Sequence, residues 1–321
     1  MTETLLELMS AEFGIGQLEL VRIVVTAPLR YKVFQIAKRS GGMRTIAQPS
    51  RELKAIQRFV MSRYLDHLPV HRAAAGYVVG RNILENAQVH RKNRVLLKLD
   101  FKDFFPSILV RDWEEYVIKN NLELSGYDRD ALSKILFWGQ RSGQPKCLSI
   151  GAPTSPMLSN ILLFDLDERL SKVATNANVK YSRYADDITA SGTQIEDLLR
   201  FESEIRQIVG STSSPRLIFN DEKRGVFTPR LRRMVTGLVI TPEGRVSLGR
   251  QRKRQISAML HHASIGKITS DRMARLKGLL GFSIANEPDF VSHMRNKYGS
   301  ETMDRVLRYQ IPKRRKGPST K

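Results

Sequence analysis

An α+β fold is predicted by three features of this chain of 321 residues. Apolar residues recur at helical spacing through many segments, short apolar runs of strand character fall between them, and from Gly249 onward the pattern is helical and basic. In order, residues 1–40 read as helical with a break at Ala27-Pro28, and GGMRTIAQPS reads as a hairpin or loop. RELKAIQRFVMSRYLDHL spaces Leu53, Ile56, Val60 and Tyr64 as one helix face. RVLLKLDF is a buried strand ending at Asp100, and DWEEYVIKNN and DALSKILFWGQ are helices. MLSNILLFDLDERLSKVA is one amphipathic helix, VKYSRYADDITASG a strand, turn and strand, and IEDLLRFESEIRQIV a helix. PRLIFN and RMVTGLVI are strands, with a turn at Thr241-Pro242-Glu243-Gly244. RQRKRQISAML opens a helical C-terminal subdomain, and IPKRRKGPSTK is a tail without expected fixed structure.

Composition narrows the function. Hydrophobic residues make up 41% of the chain, an ordinary globular value. Lys and Arg total 53 against 32 Asp and Glu, a net charge of +21, which points to a polyanionic partner such as nucleic acid. The single cysteine, Cys147, excludes an intramolecular disulfide and a cysteine-based zinc site. The six histidines lack metal-ligand spacing. MTETLLELMSAEFG is acidic, unlike a secretory signal, and no apolar run reaches the roughly 18 residues of a membrane span. A cytoplasmic protein without a membrane partner is expected.

Against that basic background the chain places Asp186 and Asp187 side by side at a hairpin tip. If the strand ending at Asp100 neighbours that hairpin, three carboxylates converge. They repel one another and should not all ionise without a cation. Mg²⁺ prefers oxygen ligands and often uses one or two carboxylates together with substrate phosphates. The basic surface would then hold a nucleic acid, and the acidic point the metal that acts on it.

YADD, Tyr184 to Asp187, resembles the Tyr-x-Asp-Asp box of reverse transcriptases. LKLDFKDFFPSI (Leu97–Ile108) resembles their first catalytic motif, GAPTSPMLSN (Gly151–Asn160) the segment beneath template and incoming nucleotide, and LIFNDEKRGVF (Leu217–Phe227) the motif that carries a lysine. MRTIAQPSRELKAIQ (Met43–Gln57) resembles the bacterial fingers motif. NAQVH (Asn86–His90) and Val235-Thr236-Gly237 resemble elements of retron reverse transcriptases. One departure is Ile150, where the family commonly has Gln before Gly151.

The resemblance implies a right-hand polymerase architecture. Fingers and palm would occupy residues 1–245, and a basic helical thumb and tail residues 246–321. It implies an RNA-directed DNA polymerase that copies a structured noncoding RNA (msr-msd) into branched multicopy single-stranded DNA (msDNA). Synthesis would be primed from an RNA 2′-hydroxyl, in an antiphage system with a separate effector protein. Abortive-infection or diversity-generating reverse transcriptases, and a catalytically silent RNA-binding scaffold, are the alternatives. Asp100, Asp186 and Asp187, with the backbone carbonyl of Phe101, would hold two Mg²⁺ ions, and Lys223 would serve the leaving pyrophosphate. Arg44, Phe105, Gly151 and Ala152 would bind the incoming dNTP, with Phe105 as the sugar gate. Asn86, His90, Val235, Thr236 and Gly237 would recognise RNA. Arg250, Arg252, Lys253 and Arg254 would track the duplex backbone.

Overall fold

A computed structural model describes residues 3–38 and 41–310; the tail expected over 311–321 lies outside them. The chain divides into two compact units, Met1–Asn82 with Asn93–Arg230, and Ile83–Lys92 with Leu231–Lys321.

The first unit begins with α1 (Leu5–Phe13). The Thr4 hydroxyl accepts from the Glu7 N–H, and the Glu7 carboxylate accepts from the Thr4 N–H. After α2 (Gln17–Thr26) the chain turns at Pro28 and enters β1 (Tyr31–Ala37), which pairs antiparallel with β2 (Met43–Pro49) from Tyr31↔Pro49 to Ala37↔Met43. This corrects the helical reading of residues 31–37. YKVFQIA is rich in aromatic and β-branched residues, and β2 supplies its backbone partners. Ser50 caps α3 (Arg51–Val60).

A segment of the second unit, α4 (Ile83–His90), follows. The chain returns to the first unit at β3 (Val95–Asp100), then runs through α5 (Phe104–Ser107), α6 (Val110–Lys119), α7 (Gly126–Leu136), α8 (Thr154–Leu162) and α9 (Phe164–Asn176). The predicted single helix from Met157 is thus two, divided at Leu163. Next come β4 (Lys180–Tyr184), β5 (Asp187–Gly192), α10 (Ile195–Ser211) and β6 (Gly225–Phe227). The antiparallel sheet has the order β4-β5-β3-β6. LIFN is not a regular strand. Because β6 takes the edge of β3 at Leu96–Lys98, residues 218–220 reach only the end of β3, through Lys102 N–H to Ile218 (2.8 Å) and Asn220 N–H to Asp100 (2.7 Å). Leu97, Leu99, Ile188 and Ala190 of the sheet and Leu158, Ile161, Leu170 and Phe201 of the helices are buried in one core.

A network of buried polar groups crosses that core. Arg183 and Asp167 are wholly buried, with Nε 2.9 Å and Nη2 2.5 Å from the carboxylate. Arg183 Nη1 donates to Asn160 Oδ1 and to the Ala185 carbonyl, both at 3.1 Å, and the Tyr181 hydroxyl donates to Asp167 at 2.6 Å. Asn160 in turn donates to the Gly76 carbonyl at 2.8 Å.

The second unit is built on β7 (Arg233–Val235), β8 (Leu238–Ile240) and β9 (Val246–Ser247), with α4 packed on this small sheet. RMVTGLVI is therefore a hairpin. Val235 pairs with Leu238, and Thr236 (φ 46°) and Gly237 (φ 85°) form a two-residue turn. Positive φ at both central residues matches the twist of the strands, and it explains a glycine there. Thr236 is β-branched and strained in that region, and its hydroxyl donates to the Ile83 carbonyl at 3.1 Å. Helices α11 (Arg250–Ser264), α12 (Ser270–Asn286), α13 (Pro288–Tyr298) and α14 (Ser300–Arg308) enclose a second core of Ile256, Leu260, Leu276, Leu280, Met303 and Val306. The small sheet groups with these helices, so the two compact units divide between Arg230 and Leu231. The reason is local bonding: Leu248 N–H, after β9, donates to the Glu287 carboxylate at the head of α13 at 2.8 Å, tying the small sheet to these helices.

Asp167→Ala leaves the Arg183 guanidinium buried without its counter-charge. It should lower unfolding free energy by about 3–5 kcal/mol. The loss should persist in high salt, because a buried pair is poorly screened. Denaturant midpoints at two salt concentrations check both expectations.

Candidate active site

Strand register brings the predicted carboxylates together. Asp100 ends β3 directly opposite Asp187, the first residue of β5. Tyr184 pairs with Asp187, so Ala185 and Asp186 form the turn between β4 and β5. Ala185 sits at φ 54°, and the Arg183 guanidinium holds its carbonyl. The Phe101 N–H donates to the Asp186 carbonyl at 3.1 Å, fastening the turn to the end of β3. The Phe101 ring is buried, stacked on Phe104 and Phe219.

The electrostatics are those of crowded, partly dehydrated anions. Burial raises Asp186, Asp100 adds to the rise, and Lys223 and Arg44 oppose it. Burial also pushes Asp187 up to about 6; the Lys98 charge opposes the shift, and the Asp186 and Asp100 carboxylates reinforce it. The Lys223 ammonium lies 2.7 and 2.8 Å from the two Asp100 oxygens. Lys223 ends a 3₁₀ turn, Asp221–Lys223, that a clamp holds in place. Glu202 of α10 accepts from Arg224 (2.7–3.0 Å) and from Arg206, and Arg206 also binds Asp221 at 2.7 Å.

Among the described residues, no group of three or more His, Cys, Asp or Glu side chains forms a finished metal cage. Mg²⁺ does not need one, since it commonly uses one or two carboxylates and completes its shell with waters and phosphates. Asp100 faces Asp187, burial and the neighbouring carboxylates raise Asp186 and Asp187, and Lys223 sits on Asp100; a divalent cation fits such a cluster of partly dehydrated carboxylates.

Phe105 on α5 is half-buried and lines a pocket of about 360 Å³ together with Gly151 and Ala152. Gly151 has φ 128°, and a Cβ there would lie 3.0 Å from the Ala47 carbonyl oxygen, so glycine is required. Ile150 also lines the pocket, and its carbonyl accepts from the Ala47 N–H at 3.0 Å. The sequence reading missed Lys54, Arg58 and Tyr77 in this lining. Lys54 and Arg58 lie one helical turn apart on α3, a signal the spacing did offer. Nothing in the sequence around Tyr77 marked it. Arg44 on β2 is exposed, and its charge reaches Asp186.

The remaining expected contact residues lie in the second unit. Asn86 and His90 on α4 are buried, so their side chains do not present hydrogen-bonding groups at the surface. Burial pushes His90 down to about 3, which keeps its ring neutral. Val235 is buried as well, and Thr236 and Gly237 are the hairpin turn already described. Of the four expected backbone-tracking cations on α11, only Arg250 and Arg254 are exposed. Arg252 donates to the Gly237 carbonyl at 3.1 Å and lies over the Phe282 ring. Lys253 pairs with Glu287 and lies over Phe290. These two cations hold the unit together. No helix among the described residues is long and apolar enough to cross a membrane.

Because Asp187 titrates near 6 when folded and near 4 when unfolded, the metal-free protein should lose stability as pH rises through that window. Asp187→Asn has no such loss. It should stabilise the metal-free protein at about pH 8 by on the order of 1–3 kcal/mol, and the gain should shrink toward pH 4. Thermal melts of both proteins in chelator across that range test the expectation.

Residues 36–257 match the family described as reverse transcriptase (RNA-dependent DNA polymerase). The chain is 35% identical to the retron Ec83 reverse transcriptase of Escherichia coli over 281 residues, 87% of this chain and 90% of that protein. It is 32% identical to the retron Ec86 reverse transcriptase of Escherichia coli over 296 residues, 88% and 87% of the two chains. Among solved structures, apo telomerase from Candida tropicalis matches with a TM-score of 0.50 at 12% identity, covering 86% of this chain and 60% of that one. That likeness is one of fold, and the fold class is the right-hand polymerase. The paired Asp100 and Asp187, the YADD turn and these relationships lead to one conclusion: the chain belongs to the reverse transcriptases, and among them to the retron reverse transcriptases.

Proposed function

We propose that this RNA-directed DNA polymerase copies a structured noncoding RNA, its msr-msd transcript, into branched msDNA. Synthesis starts from an RNA 2′-hydroxyl, and the protein works in the cytoplasm within an antiphage system that includes a separate effector protein. The observation that carries the reading is Asp100 opposite Asp187 with Asp186 in the adjoining turn, in a chain of this family.

Asp100, Asp186, Asp187 and the Phe101 carbonyl would hold two Mg²⁺ ions. When bound, such ions stabilise the attacking and leaving oxygens of phosphoryl transfer. The chain's own residues do the rest. Arg44 binds the triphosphate through its guanidinium fork. Phe105 stands beneath the sugar, where a ribose 2′-hydroxyl would collide with its ring. Gly151 and Ala152 let the nucleotide lie close to the backbone. Lys223 neutralises or protonates the leaving pyrophosphate. Arg250 and Arg254 track the duplex backbone, where charge matters more than identity. Asn86, His90, Val235, Thr236 and Gly237 serve RNA recognition indirectly, by fixing α4 on the small sheet.

Asp186→Asn or Asp187→Asn should reduce primer extension by roughly 10³-fold or more, and the double variant should lose little further, because metal ligands act as a unit. RNA binding should remain. With the cognate noncoding RNA and dNTPs, the unaltered protein should yield DNA joined to RNA, seen as a gel shift after RNase treatment. A product of unbranched DNA alone would refute the priming assignment.

Phe105→Ala should raise ribonucleotide use relative to deoxynucleotide use. Paired single-nucleotide kinetics on a folded variant measure that ratio, and an unchanged ratio would make Phe105 a packing residue only.

A further inference from the structure

We propose that Glu202 on α10 is a positioning residue for the polymerase reaction: through Arg224 and Arg206 it fixes where the Lys223 ammonium stands beside Asp100. The proposal rests on the polymerase reading above and on the role given there to Lys223. It adds a residue that lies outside every motif carrying the family resemblance.

Lys223 sits on a segment that its backbone holds weakly. Asn220 N–H donates to the Asp100 carbonyl at 2.7 Å, and Gly225 pairs with Lys98, so the chain is fastened to β3 before and after the turn. Between those points runs the 3₁₀ turn Asp221–Lys223. Lys223 N–H donates to the Asn220 carbonyl at 3.1 Å, and Arg224 N–H to the Asp221 carbonyl at 3.2 Å. A single 3₁₀ turn has poor hydrogen-bond geometry and is a weak element by itself. None of its three residues is buried, so core packing does not fix it either.

Glu202 supplies the missing constraint. Arg224 Nε donates to Glu202 Oε1 at 2.8 Å and Nη2 to Oε2 at 2.7 Å, a two-point fork. Arg206 donates to the same carboxylate at 2.9 and 3.0 Å and to Asp221 at 2.7 Å. Asp221 and Arg224, on either side of Lys223, are thus both tied to one turn of α10. Arg206 also lies over the Phe219 ring at 5.1 Å, and Phe219 stacks on Phe101 at 5.0 Å, beside Asp100. The clamp and Asp100 share one frame, and within it Lys223 reaches both Asp100 oxygens at 2.7 and 2.8 Å.

Stability alone gives a poor reason for this carboxylate. Glu202 is 6% exposed, on a helix whose Leu198, Phe201 and Ile205 belong to the core. Burial opposes its ionisation, but the hydrogen bonds and charges of Arg224 and Arg206 outweigh burial and hold it below the usual carboxylate range. Buried ion pairs often gain nothing in stability over apolar side chains of similar volume. What a carboxylate offers here, and an apolar side chain cannot, is direction: it orients two guanidiniums at once. Direction matters beside a reacting centre, where a misplacement of about 1 Å can reduce a rate on the order of 10²-fold.

The test is a double-mutant cycle on single-nucleotide incorporation by the full protein, with an annealed primer–template and Mg²⁺. Glu202→Gln keeps the side-chain size and removes the charge that orients both arginines. It should lower kcat roughly 10-fold or more while changing KM for the dNTP by less than about 2-fold. Lys223→Ala should lower kcat as well. Adding Glu202→Gln to Lys223→Ala should lower it little further, because the clamp then has no ammonium to place. A series of dNTPs whose β,γ-bridging groups differ in acidity gives a second readout. Both single variants should show a steeper dependence of rate on leaving-group acidity than the unaltered protein. If Glu202→Gln does not fold, as judged by melting, Arg224→Gln removes the same fork and carries the test. An unchanged kcat in the folded variant, or the same fold-loss with and without Lys223, would overturn the assignment. So would an unchanged kcat in Lys223→Ala, which leaves the polymerase reading intact. Failure of the unaltered protein to extend the primer would instead overturn the polymerase reading, and this inference with it.

Discussion

The buried charge pair between Arg183 and Asp167 is the interaction on which the catalytic geometry depends. One guanidinium joins α9 through Asp167, α8 through Asn160 and the YADD turn through the Ala185 carbonyl. The backbone of Arg183 adds the strand-like segment at Ala73 and Ala75. All three guanidinium nitrogens are used, which offsets the cost of removing the charge from water. A turn with a non-glycine residue at positive φ needs such support. The YADD turn is therefore not an independent hairpin. It is one output of a network that also fixes Gly76 and, through it, the Tyr77 loop.

Around that scaffold the protein accepts electrostatic conflict. Three aspartates are brought together in partial burial, and Asp186 and Asp187 are pushed toward protonation. Lys223 answers part of the conflict by sitting on Asp100, and Lys98 and Arg44 answer more at longer range. The high net positive charge and the acidic point are thus two sides of one arrangement. Local cations offset part of the repulsion among the carboxylates, and others, such as Arg250 and Arg254, stay exposed. Sites that perform chemistry commonly sacrifice stability in this way.

In the second unit the residues of the retron-like motifs are bound into the fold. Asn86 and His90 come from a helix that lies far in sequence from β7–β9, yet the two pack as one body. Val-Thr-Gly is a hairpin turn whose threonine hydroxyl bonds the start of that helix. Arg252 then binds the Gly237 carbonyl, linking the turn to α11. These motif residues define a shape before they define a contact.

Much of this was legible in the chain. The α+β class, the helical basic C-terminal region and the three aspartates follow from local pattern and motif order, which a linear sequence records directly. What the sequence could not show depends on partners distant along the chain. Strand β1 was hidden because its pairing lies with β2; LIFN lost its strand partner because β6 occupies the edge of β3. Arg252 and Lys253 look like neighbouring surface cations of Arg250 and Arg254 until Phe282, Glu287 and Phe290 claim them. The setting of Tyr77 has no local signature, because it comes from Arg183, Asn160 and Tyr184, each more than eighty residues away. Sequence by itself determined which chemistry the chain can perform, since that rests on residue type and order. Only tertiary structure decided which cations stay exposed and which polar groups are buried, because each of those is set by what packs against a side chain.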